Sequence, residues 1–218
     1  MKPPYHFRLK IGNVVEGRRE RKRRETRHRL LAAARQLIVE RGIDGLTIAE
    51  VTDSADVGFG TFYGYFETKE ALLEAVAAAV FEELGTRNDA LTAGIDDPVV
   101  VTAIGLLSTL DAMEHDPMWT TLLVRIGASD DPGRWQALSR RMIRDVESAA
   151  AIGRFPAARV RVAPFVVGGS VMAALRSSTE HPMSGADRDE LMLAVLMALG
   201  LVDSDARAVL ERAHQALT

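Results

Sequence analysis

Apolar positions recur at helical spacing along nearly the whole chain. In "TRHRLLAAARQLIVERG" residues Leu30, Ala34, Leu37, Ile38 and Arg41 fall at i, i+4, i+7, i+8 and i+11, and Gly42 is placed to end the stripe. After the turn "IDG", Thr47 and Glu50 have capping-box spacing and Leu46 can staple to Val51, which predicts a short helix from about Thr47 to Ser54. Asp56 then stands in a turn that needs positive φ, a role glycine fills more easily. A third helix is predicted from near Gly58 to near Phe66. Thr68 caps a fourth, with Leu72, Leu73, Val76 and Val80 along one side. Beyond Gly85 the predicted helices lengthen: Pro98 to Glu114, Met118 to Gly127, Arg134 to Ala151, Pro164 to Glu180, Asp187 to Gly200 and Asp203 to Ala216. Breaks at "HDP", "SDDPG", "GRFP" and "HPMSG" separate most of them. Period-two β-branched runs are nearly absent, so the fold class is all-α: a compact N-terminal three-helix unit followed by a larger helical body.

Charge changes this picture at one end. The 218 residues carry a formal net charge of −3, yet residues 1–29 hold eleven Lys/Arg against three Glu, and the rest of the chain is correspondingly acidic. The basic residues concentrate in "GRRERKRRETRHR", Gly17 to Arg29. Such a block reads as a solvated arm, expected to be disordered over residues 1–25, and contact with nucleic acid is its commonest physical use.

The third helix bears on the same use. Three short helices with a tight turn between the second and third make a helix-turn-helix arrangement. On a helical wheel Phe62 and Phe66 lie on one side, and Gly60, Thr61, Tyr63 and Gly64 lie on the other. Each exposed glycine costs about 0.8–1.0 kcal/mol relative to alanine. Close approach of the backbone to a partner is the simplest compensation. Tyr63 can donate to a phosphate oxygen, the Thr61 methyl can meet a thymine methyl, and Lys69 in the first turn of the next helix suits a nearby phosphate.

The span from Thr26 to about Val80 resembles the DNA-binding domain of the tetracycline-repressor (TetR) family. The match lies in "AAARQLIVERGIDGLTIAEV" followed by "ADVGFGTFYGYFETKEALL". Positions in register include Ala33, Gly42, Thr47, Ile48, Val51, Ala55, Val57, Gly60, Thr61, Phe62, Tyr63, Phe66, Lys69, Leu72 and Leu73. The resemblance implies a homodimeric helix-turn-helix transcriptional regulator, usually a repressor released by a small ligand in the C-terminal body. It divides the chain into the arm at 1–25, a DNA-binding domain at 26–84 and an effector-binding and dimerisation domain at 85–218. The expected DNA contacts are Thr47, Gly58, Phe59, Gly60, Thr61, Tyr63, Gly64, Tyr65 and Lys69, on an operator expected to be palindromic. Asp56 and Gly58 depart from the family, whose members often have Gly and Ser there.

No Arg, Asn or Gln occurs between Val57 and Phe66, so the bidentate readers of guanine and adenine are missing from the third helix. Residues 30–70 carry Arg35, Arg41 and Lys69 against seven acids. Affinity is therefore expected to come mainly from Arg18, Arg19, Arg21, Lys22, Arg23 and Arg24, through phosphate or minor-groove contacts.

In the body, "PFVVGGSVMAALRSS" and "DELMLAVLMALG" are apolar around most of their circumference. That pattern suits helices buried on two sides, in a dimer interface expected at Val167, Gly168, Val171, Ala174, Leu191, Val195 and Leu199; a core helix within one chain shows the same pattern. Met113, Trp119, Leu123, Trp135, Met142 and Met172 can line an apolar ligand cavity, and equally can be plain core.

Other classes find little support. No cysteine is present, which removes disulfides, thiolate metal sites and cysteine nucleophiles. None of His6, His28, His115, His181 and His214 belongs to an E-x-x-H set, and neither G-x-x-x-x-G-K-[ST] nor G-x-S-x-G occurs. No enzyme, metal or cofactor is expected. The longest charge-free apolar runs, Val162 to Leu175 and Leu191 to Val202, fall short of the roughly 20 residues that span a bilayer, and the N-terminus lacks a secretory h-region. The expected location is the cytoplasm. A DNA-binding protein of the same fold acting as an activator, or without an effector, has the same sequence pattern.

Overall fold

The computed structural model describes residues 17–115, 132–178 and 183–217. Among these every regular element is a helix: α1 (Arg18–Arg41), α2 (Ile48–Ser54), α3 (Phe59–Phe62), α4 (Lys69–Leu91), α5 (Pro98–His115), α6 (Pro132–Ala151), α7 (Ala157–Val160), α8 (Ala163–Ser178), α9 (Gly185–Leu199) and α10 (Asp203–Leu217). The predicted helix from Met118 to Gly127 lies outside the described residues.

The basic block is where the structure departs first from expectation. Residues 18–25, read above as a disordered arm, are the first two turns of α1. Arg, Lys and Glu are good helix formers. The Gly17 N–H donates to Glu20 Oε2 at 3.2 Å, and Arg21 and Glu25 stand 3.7 Å apart one turn on. At the other end the Gly42 N–H donates to the Ile38 carbonyl, with Gly42 at φ 73°.

The turn chemistry of the three-helix unit follows the sequence closely. The Glu50 N–H donates to Thr47 Oγ1 at 3.3 Å and the Thr47 N–H to Glu50 Oε2 at 3.2 Å, a reciprocal cap on α2. Arg41 pairs with the same carboxylate, whose pKa is held below the ordinary range chiefly by the Thr47 hydroxyl. Asp56 takes φ 50°, and its carbonyl accepts from Arg29 at 3.3 Å. The third helix is shorter than predicted. After one turn of α3 the chain continues through tighter i→i−3 bonds, Gly64 N–H to Thr61 O and Tyr65 N–H to Phe62 O, as glycines and a β-branched residue favour. Phe62 and Phe66 still point inward, into the buried cluster that also holds Leu30, Leu46, Val51, Leu72 and Val76.

A boundary between residues 84 and 85 falls inside α4. This one helix places Leu72, Leu73, Val76 and Leu84 in a single buried cluster that runs from the three-helix unit into the body. In the body α5 is central, packed against α4, α6, α9 and α10. Asp97 fixes its start. One carboxylate oxygen accepts from the Val99 N–H at 3.0 Å, while the other pairs with Arg212 at 2.7 Å and Arg154 at 3.3 Å. Burial works to raise the pKa of this acid, but the Arg212 and Val99 hydrogen bonds and the Arg154 charge hold it below the usual carboxylate range.

Most of the expected dimer residues are covered within the chain itself. Val167, Gly168, Val171 and Ala174 on α8, and Val195 and Leu199 on α9, are buried in the chain's own core; Leu191 is half-buried. An all-round apolar helix leaves its inward side undetermined until its neighbours are placed. The side left uncovered carries Phe165, 75% exposed, and Met197, 40% exposed.

Candidate DNA-binding face and effector cavity

The outward side of the α3 segment is the one the wheel gave. Gly58, Phe59, Gly60, Thr61, Tyr63 and Gly64 are exposed, as is Thr47, while Tyr65 and Lys69 are half-buried. A Cβ built on Gly60 meets no atom within 4 Å, and its φ is not in the left-handed region. Among the described residues nothing therefore requires glycine at this position. At Gly64 the added carbon would stand 3.3 Å from the Thr61 carbonyl oxygen, a tight but local contact.

The basic start of α1 lies beside this face. Arg23 stands over the Tyr65 ring at 5.9 Å and Arg27 over the Phe66 ring at 5.4 Å. Arg18, Arg19, Arg21, Lys22, Arg23 and Arg24 are all exposed. Two ring contacts thus join the cationic helix to the aromatic turn, and a surface whose own charge is acidic acquires a basic flank.

The body holds a cavity of about 160 Å³ between α4, α5, α6 and α8. Phe81, Leu84, Val101, Leu106, Met142 and Val167 supply apolar wall, and Asn88, Asp89, Arg141, Arg144 and Asp145 supply polar wall. Arg141 forks onto Glu82, with Nη1 and Nη2 donating at 2.9 and 2.7 Å, and its Nε donates to Asp89 at 3.0 Å. Arg144 donates to Asp145 at 2.8 Å and to Asp89 at 3.3 Å. The Arg141 hydrogen bond holds Glu82 below its ordinary pKa. Partial burial opposes the same shift at Asp89, but hydrogen bonds from both arginines prevail. Asp145 goes the other way: burial pushes its carboxyl up despite Arg144.

Two features of this cluster were not legible in the sequence. Arg141 lies against the backbone of α4 at Gly85, where an added Cβ would come within 2.3 Å of Nη1. Asn88 donates to the Gly105 carbonyl at 3.4 Å, but its Oδ1 is buried without a partner. Of the expected ligand residues, Met142 lines the wall, whereas Met172 packs on the core outside it. Trp119 and Leu123, and the side chains of Met113 and Trp135, lie outside the described residues. The available signal was Glu82, Gly85 and Asp89 at i, i+3 and i+7 on α4, facing Arg141, Arg144 and Asp145 on α6.

Among the described residues no group of His, Asp and Glu is arranged to hold a metal ion, and no helix is long and apolar enough to cross a membrane. An exposed helix-turn-helix face with a basic flank, set on a helical body that holds a cavity, defines a DNA-binding regulator. Comparison with known proteins gives the family. Residues 30–76 match the model for bacterial regulatory proteins of the tetR family, and residues 97–212 match that for the tetracyclin repressor-like C-terminal domain. The chain belongs to the TetR family of transcriptional regulators, which are not enzymes.

It is 41% identical over 64 residues to the transcriptional repressor NemR of Escherichia coli, covering 28% of this chain and 32% of NemR. It is 31% identical over 104 residues to the repressor KstR of Mycolicibacterium smegmatis, covering 47% of this chain and 50% of KstR. These alignments thus span between a third and a half of the curated relatives. Similarity to the crystal structure of RolR in complex with the ligand resorcinol extends much further: 33% identity and a TM-score of 0.73 over 88% of this chain and 96% of that one.

Proposed function

We propose that the protein is a homodimeric repressor that binds a palindromic operator and is released from it by a small uncharged hydroxylated aromatic in the α4/α5/α6/α8 cavity. The observation that carries this reading is the course of α4. Its first turn, with Lys69, belongs to the DNA-binding unit, and its last three turns form a wall of the cavity. A ligand that moves the wall moves the helix, and with it the face bearing Gly58, Gly60, Thr61, Tyr63, Gly64 and Tyr65. Arg18, Arg19, Arg21, Lys22, Arg23 and Arg24 supply phosphate contacts beside it, and Thr47 adds one from the start of α2. Two copies related by two-fold symmetry, joined through the α8 and α9 side that exposes Phe165 and Met197, present two such faces to two half-sites.

The cavity's chemistry narrows the ligand. Arg141 and Arg144 are both paired with carboxylates, so a ligand carboxylate would have to break an existing ion pair. The buried Asn88 Oδ1 needs a donor, which a phenolic hydroxyl provides. A largely apolar ring bearing hydroxyl groups fits this wall, in line with the resorcinol bound by RolR. The test is operator binding by the full-length protein titrated with resorcinol and, separately, with benzoate. Release by resorcinol alone supports the reading; release by benzoate alone, or by neither, refutes the assigned ligand chemistry.

A further inference from the structure

The DNA-binding face carries a large apolar side chain that the fold leaves uncovered and yet holds in place. Phe59, the first residue of α3, is 54% exposed. Its ring meets Tyr63 edge-on at 5.8 Å and 74°, Tyr63 meets Phe62 at 5.4 Å and 87°, and Phe62 packs on Phe66 at 5.7 Å. Phe62 and Phe66 are 0% and 5% exposed, so the outer ring is the end of a ladder rooted in the core. A ring held in this way presents a fixed apolar surface and loses little freedom when it is covered.

Its neighbours limit what can cover it. Gly60, beside it, has no atom within 4 Å of an added Cβ, which leaves room for a duplex. From Val57 to Phe66 there is no Arg, Lys, Asn or Gln to hydrogen-bond a base edge. In the major groove thymine alone presents an apolar group, its C5 methyl, and phenylalanine is among the side chains that meet it. We propose that Phe59 is a specificity-determining residue that reads thymine methyl groups, so that the operator half-site is defined at this helix by apolar contact. The proposal rests on the reading that the α3 face docks in the major groove.

The experiment selects duplexes from a random library with the full-length protein, then replaces each thymidine of the selected site in turn with deoxyuridine, removing only the methyl group. One or two positions per half-site are expected to lose about three- to tenfold in affinity, the scale of burying a methyl group or two. Phe59→Ala is expected to weaken binding to the unmodified site by a similar factor and to bind the deoxyuridine duplexes no worse than that site, with an unchanged thermal transition. Uniform tolerance of deoxyuridine, or equal sensitivity in Phe59→Ala, would overturn the assignment to Phe59 while leaving DNA binding intact. Failure to enrich any sequence would overturn the docking reading itself, and this inference with it.

Discussion

Substitution of Gly60 separates what the fold needs from what the duplex needs. An added Cβ meets no atom within 4 Å, the backbone is in an ordinary conformation and the position is exposed, so the Cβ of Gly60→Leu brings neither clash nor strain. Leucine is among the better helix formers, and the change is expected to raise stability by about 0.5–0.8 kcal/mol. For a chain of this size that corresponds to a rise of roughly 1–3 °C in Tm. Operator affinity should move the opposite way. If the backbone at Gly60 approaches the duplex, four new carbons must be accommodated at a packed surface, at a cost of about 1–3 kcal/mol, or roughly five- to 150-fold in Kd. Thermal denaturation and an operator titration at fixed salt measure the two effects. A stabilised protein that binds DNA undiminished would refute close approach at Gly60. A destabilised one would show that the fold itself needs the glycine.

Replacing Arg18, Arg19, Arg21, Lys22, Arg23 and Arg24 by Gln keeps helix-forming residues in α1 but removes six charges. Operator affinity should fall by orders of magnitude, and the slope of log K against log salt should flatten by up to about five per protomer. Gly85→Ala sets a carbon against the Arg141 guanidinium, which must shift from its place on Glu82 and Asp89. The salt-dependent part of the contact between α4 and α6 should disappear and the resorcinol response should change, read by titration with operator present. Asp97→Ala removes the α5 cap and leaves Arg154 and Arg212 facing each other; a loss of about 2–3 kcal/mol in urea denaturation is expected. The lowered pKa values of Asp97, Asp89 and Glu82 make their stabilisation complete above the unfolded carboxylate range, near pH 4, and lost as pH falls through the folded values. The raised pKa of Asp145 has the opposite sign, so Asp145→Asn should flatten any loss of stability between its unfolded and folded values.

Short-range chemistry made the DNA-binding unit readable. The Thr47 and Glu50 cap, the positive φ at Asp56 and the inward Phe62 and Phe66 are each decided within a few residues, by hydrogen-bond reach or by a 3.6-residue period. The same locality explains the misreading of residues 18–25. Charge density suggested a solvated arm, but a run of Arg and Glu with i,i+4 spacing is also a good helix, and α1 extends through it. By itself the sequence determined the all-α class, the helix-turn-helix face and the basic block. Tertiary packing alone decided that α4 belongs to both units, and that Val167, Val171, Val195 and Leu199 face inward while Phe165 and Met197 face out. It also decided that Arg141 lies on Gly85 with Asn88 Oδ1 unpartnered beside it. An apolar helix offers several equivalent sides, and residues some fifty positions apart meet only through the angle at which their helices cross, which no local pattern encodes.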